Sequence, residues 1–160
     1  MDADADLVGL VTSRMTAWAA QQAGRVADAD ALRRLNARLG GMIPGWYALL
    51  ISELPLGGLR LEVPQPDGAP VAFEWATVSV MDFELLQAYP GLAIWPHGYV
   101  VIGTDPTGGG DPFVVHGPSG PASPVYQVPH DGIDEEAPDP AQFWLIAPSF
   151  LAFVATAEPA

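Results

Sequence analysis

Three histidines, His97, His116 and His130, are the side chains of this 160-residue chain best suited to moving protons near neutrality. With the nearby acids they define a candidate metal set: Asp105, Asp111, His116, His130 and Asp131. Their spacing matches no compact ligand motif. Asp105 and Asp111 lack the alternating acids of a calcium loop between them. The run Gly108–Gly110 does not follow the phosphate-loop pattern, and the chain has no lysine to serve one. It reads as a hairpin turn that needs positive φ. Ser119 supplies a hydroxyl, but it lies in Gly117, Pro118, Ser119, Gly120, Pro121, a stretch of turn residues with no strand-to-helix elbow. There is no cysteine, so disulfides, thiolate nucleophiles and cysteine zinc sites are excluded. The chemistry left is recognition. The chain is expected not to be an enzyme and to need no cofactor and no metal.

Charge is what the sequence distributes unevenly. The net charge is −13. All six basic residues are arginines at positions 14, 25, 33, 34, 38 and 60, where six acids balance them. From Leu61 onward there are thirteen acids and no Lys or Arg. Such a surface repels phosphate backbones and anionic membranes, so nucleic-acid and membrane partners are disfavoured. It would attract a basic protein, unless it serves only as a solvated face. Trp95, Pro96, His97, Gly98 and Tyr99 form a second notable cluster, either core packing plus a turn or an interface anchor.

These residues must be held by elements that the pattern predicts. Asp4 or Asp6 opens a first helix carrying Leu7, Val8, Val11, Met15 and Trp18, with Gly24 as its stop. Asp30 opens a second, which Gly40 and Gly41 end, and Pro44 starts a third running to Ser52. Strands follow at 59–63 and at 71–80, the latter one strand or two joined by a bend. Ser79 caps a short helix over 81–86. Residues 99–104 and 112–116 form a hairpin, 125–128 a further strand, and 131–140 an acidic loop. The apolar segment 143–147 precedes a helix over 148–155, with Trp144 and Phe150 assigned to the core. The class is α+β: N-terminal helices, a mainly antiparallel sheet with one short inserted helix, and a C-terminal helix. It is one domain over 1–160. No apolar run approaches the ~20 residues needed to span a bilayer, and the acidic start Met1–Asp6 is the wrong charge for a secretory leader. A cytoplasmic location is therefore expected.

Five short pieces then occur in a telling order. Leu39 and Gly40 lead to Ile43, Pro44, Trp46, Tyr47, Leu49 and Leu50. Tyr99 to Asp105 leads through a Gly-rich turn to Gly110, Asp111 and Phe113–Val115. Pro124, Val125 and Tyr126 are followed by His130 and Asp131. Ala147 to Phe153 closes the series. Over about residues 31–155 the chain resembles the SUKH superfamily, which includes Smi/Knr-type cell-wall regulators and bacterial toxin-immunity proteins. Residues 1–24 lie outside the resemblance as an N-terminal helical extension. The chain departs from the family in its three consecutive glycines, in its longer and more acidic segment after Asp131, and in Ala152 where Glu is common.

The resemblance implies a sheet wrapped by helices and a binding role. It implies an immunity protein that covers a cognate toxin, expected to be basic and nuclease-like. The residues expected to meet that partner are the acids Asp82, Glu84, Asp105, Asp111, Asp131, Asp134, Glu135 and Glu136, with Trp95 and Tyr99 as apolar anchors. The alternatives are a regulatory adaptor without a toxin and a small-molecule or peptide receptor.

Overall fold

The computed structural model describes residues 3–131, 133–134 and 136–160. Helix α1 (Ala3–Trp18) buries Leu7, Val11 and Trp18, one stripe of its surface. It ends at Trp18, well short of Gly24. The glycine answers a packing need instead, since a Cβ there would lie 1.8 Å from the Pro55 carbonyl oxygen. Helix α2 (Ala29–Arg38) is opened by Asp28 and not by Asp30. Asp28 has an extended backbone, and its Oδ1 accepts from the amides of Asp30 at 2.9 Å and Ala31 at 3.0 Å. Asp30 already lies inside the first turn, where its carboxylate faces Arg33. Helix α3 (Gly45–Glu53) follows Pro44 and buries Trp46, Tyr47, Leu50 and Ile51.

The chain then lays down β1 (Arg60–Val63) and β2 (Val71–Trp75), and next α4 (Val78–Leu86) and α5 (Gly91–Ile94). After them come β3 (Tyr99–Thr104), β4 (Phe113–His116), β5 (Val125–Gln127), β6 (Trp144–Ala147), α6 (Phe150–Thr156) and β7 (Glu158–Pro159). Among the described residues the strands form one sheet in the order β6-β5-β4-β3-β2-β1-β7, every pairing antiparallel. The predicted strand over 71–80 stops at Trp75. Thr77 then caps α4 by accepting the Val80 amide at 3.3 Å, so Ser79 is the second helical residue and not the cap. The sheet curls: Gln65, after β1, donates its side-chain amide to the Ile146 carbonyl on β6 at 3.2 Å.

An aromatic core fills the curl. Phe73 meets Phe113 at 5.0 Å and Phe153 at 4.9 Å between ring centroids, and Trp75 meets Phe153 at 5.8 Å and Phe150 at 6.3 Å. Edge-to-face rings of this kind contribute beyond their buried area. Trp18 reaches the same core, 5.8 Å from Trp75, so α1 is built into the domain although it lay outside the family resemblance. Its indole N–H donates to the Ala157 carbonyl at 2.8 Å. Gly103 of β3 lies against the Phe73 ring, and a Cβ there would sit 2.2 Å from its Cε2.

Phe150 is fully buried, as the sequence predicts, but Trp144 is not in the core and keeps 50% of its surface exposed. The apolar run 143–147 reads as a buried segment. In the fold it becomes an edge strand, where β5 covers one side only, and burial begins at Ile146 as the chain turns toward α6.

Candidate functional site

The β3–β4 hairpin carries Asp105 and Asp111 at the two ends of its turn. Asp105 Oδ1 accepts from the Thr107 amide at 2.8 Å and its hydroxyl at 2.6 Å, which fixes the turn locally. Asp111 Oδ1 accepts from the His130 amide at 3.0 Å and pairs with His130 Nδ1. The segment after β5 is thereby tied to the turn end of the hairpin. The turn glycines allow this closeness: a Cβ on Gly109 would meet the Asp105 carboxylate at 2.4 Å, and one on Gly110 the His130 ring at 2.7 Å.

Helix α4 forms the other side. Partial burial pushes the Glu84 carboxyl above its usual range, and nearby His130 opposes that shift. Tyr89, between α4 and α5, donates its hydroxyl to the Ile133 carbonyl at 3.3 Å. Asp134 Oδ1 accepts from the amides of Glu136 at 3.0 Å and Ala137 at 3.3 Å, so the acidic loop has a local frame. The fold therefore gathers Glu84, Asp105, Asp111 and His130 around the hairpin tip, with Asp131, Asp134 and Glu136 on the adjoining loop. Glu135 lies outside the described residues.

Three expected partner-binding residues do not join this group as foreseen. Asp82 turns the other way on α4, accepting from Arg38 at 2.9 Å and from the Gln87 side chain at 3.2 Å. Tyr99 is only 6% exposed, with ring centroids 5.2 Å from His116 and 5.4 Å from Phe143, so it is a core residue and offers a partner almost nothing. Trp95 is half-buried against the core. The apolar exposure falls instead on Phe83, 52% exposed, and on Tyr89 and Leu92 in the same α4–α5 segment. A helical reading could have found Phe83. Met81 and Leu85 mark the buried stripe of α4, and Phe83 falls between them on the opposite side.

The candidate metal set comes apart. His116 ends β4 at the strand terminus opposite Asp111, so it is far from His130. No group of three or more metal-binding side chains forms among the described residues. Ser119 does reach His116, with Oγ 2.7 Å from Nδ1. Among the described residues no carboxylate pairs with His116, and Ser119 sits exposed on its turn. No helix among the described residues is long and apolar enough to cross a membrane.

Comparison with known proteins adds no relative: no family model matches the chain, nor does any curated protein or solved structure.

Proposed function

We propose that this chain is a non-catalytic, cytoplasmic protein-binding domain of SUKH type, an immunity protein that covers a basic, nuclease-like toxin domain. The observation that carries this reading is the meeting of Glu84, Asp105 and Asp111 with the acidic loop beside exposed Phe83, Tyr89 and Leu92. Apolar anchors beside carboxylates suit a partner whose surface is built to hold phosphates. The imbalance of charge would also speed encounter, toward ~10⁸–10⁹ M⁻¹s⁻¹ at low salt. Glu84 fits the role well, because a carboxylate held partly out of water gains most from an arriving cation.

The test is to read the neighbouring reading frame for a toxin domain and to co-express that domain with this chain. Protection of the host and a one-to-one complex are expected. Asp105→Asn, Asp131→Asn and Asp134→Asn together should slow association and flatten its salt dependence. A cell that dies equally with and without this chain, or a triple variant with unchanged kinetics, contradicts the reading.

A regulatory adaptor is the second reading. It is favoured by a further exposed apolar pair, Trp144 and Leu145 on edge strand β6, which would suit an additional partner.

A further inference from the structure

Three of the six arginines line one groove. Arg25, Arg34 and Arg38 border a cavity of about 680 Å³ between the segment before α2, α2 itself and the first turn of α4. That size suits a small organic ligand. Leu35, Ile51 and Ala76 give the groove an apolar floor.

Both carboxylates in the lining are already engaged. Asp28 caps α2, and Asp82 accepts from Arg38. Arg25 and Arg34 are exposed, and among the described residues neither has a carboxylate oxygen within ion-pair distance. On the facing wall Thr77 takes the Val80 amide. The amides of Val78 and Ser79 are left with no carbonyl inside the helix to accept them, and the Ser79 hydroxyl lies beside them. Two guanidinium groups without a close ion pair, Arg34 feeling the Asp28 carboxylate only at longer range, stand opposite free helix amides and make a site for a doubly charged oxyanion. A single carboxylate would leave one cation unanswered. A nucleic-acid strand is disfavoured, because beyond the groove its backbone would meet a chain of net charge −13.

We propose that this groove binds a small organic phosphate. Arg25, Arg34 and the first turn of α4 hold the phosphoryl group, and the apolar body lies on Leu35 and Ile51. The site is separate from the acidic end: Asp82 faces α2 from one side of α4, and Glu84 faces His130 from another.

The test is a nuclear magnetic resonance titration of the whole ¹⁵N-labelled chain with inorganic phosphate, adenosine 5′-monophosphate and adenosine. Phosphate and the monophosphate should give saturable shifts at the Arg25 and Arg34 side chains and at the Val78 and Ser79 amides. The monophosphate should bind more tightly than phosphate, and adenosine should leave these signals still. Arg25→Gln and Arg34→Gln should each weaken binding about tenfold or more, the loss expected for one charge-assisted hydrogen bond. Arg33→Gln, whose residue pairs with Asp30 and does not line the groove, should change nothing. If neither phosphate compound produces saturable shifts by about 10 mM, the proposal fails. It also fails if the shifts lie elsewhere or survive the double variant that combines Arg25→Gln with Arg34→Gln. Should that variant unfold, the position of the shifts in the unaltered chain still decides.

Discussion

Trp75 donates its indole N–H to the hydroxyl of Tyr47 at 3.0 Å, joining β2 to α3 through the middle of the core. Both residues are almost wholly buried, so neither polar atom has water to turn to. Burial drives the Tyr47 phenol well above its usual range, and the bond from Trp75 only partly opposes this. Tyr47→Phe should cost about 1–3 kcal/mol at pH 7, because the indole N–H loses its acceptor. The phenol ionises more readily in the unfolded chain. Its contribution is therefore fully present below about pH 10 and is lost as pH rises further. The stability gap between the unaltered chain and the variant should narrow above that pH. Urea unfolding from pH 7 to 11 checks it, and a gap that widens contradicts it.

Gly103→Ala tests the closest approach in the sheet. The added methyl would meet the Phe73 ring and, at 2.9 Å, the Glu74 carbonyl oxygen. Backbone does not move aside as a flexible side chain does. The expected cost is about 1–3 kcal/mol, read as a lower denaturation midpoint with unchanged slope.

Glu84→Gln separates stability from binding. Burial raises the Glu84 carboxyl, so its contribution is complete below the ordinary carboxylate range and is lost as pH rises through the folded value. At pH 7 the ionised group is a small burden, reduced by solvent because the side chain is partly exposed. The variant should be slightly more stable at pH 7 and indistinguishable near pH 4. It should also associate more slowly with a basic partner. Parallel denaturation and surface-binding measurements read the two effects independently.

Trp144→Phe should leave the unfolding midpoint within about 0.5 kcal/mol, the range of ordinary surface changes. It should remove much of the fluorescence that acrylamide quenches, since Trp18 and Trp75 are buried, Trp46 is nearly so, and only half-buried Trp95 remains partly accessible. A strong fall in stability would return Trp144 to the core.

Sequence patterns carried the architecture and left its details to tertiary contacts. Alternation and turn chemistry marked the β3–β4 hairpin and β1, because those signals are local. Helix caps were misplaced by two residues at both Asp30 and Ser79. Each lies two positions after another residue able to cap, and only backbone dihedrals select Asp28 and Thr77. Trp144 misled because an apolar run looks the same in a central strand and at an edge. His130 ties the loop that follows β5 to Asp111 of the hairpin, a contact that the charge pattern alone did not specify. Asp82 stays apart from these residues, since its partner Arg38 lies on another helix, 44 residues away. Three arginines scattered through the first forty residues gave no hint that they would share a groove.

The bond from Trp18 to the Ala157 carbonyl spans 139 residues, and Arg14 donates to the same oxygen at 2.6 Å. A chain made residue by residue on the ribosome would finish α1 early, yet that helix would have only α3 and Trp75 of β2 to pack against until α6 and β7 emerged. Nascent chains arrested before residue 150 should therefore leave the opening helix open to protease, and release of the final segment should protect both ends of the domain in a single step.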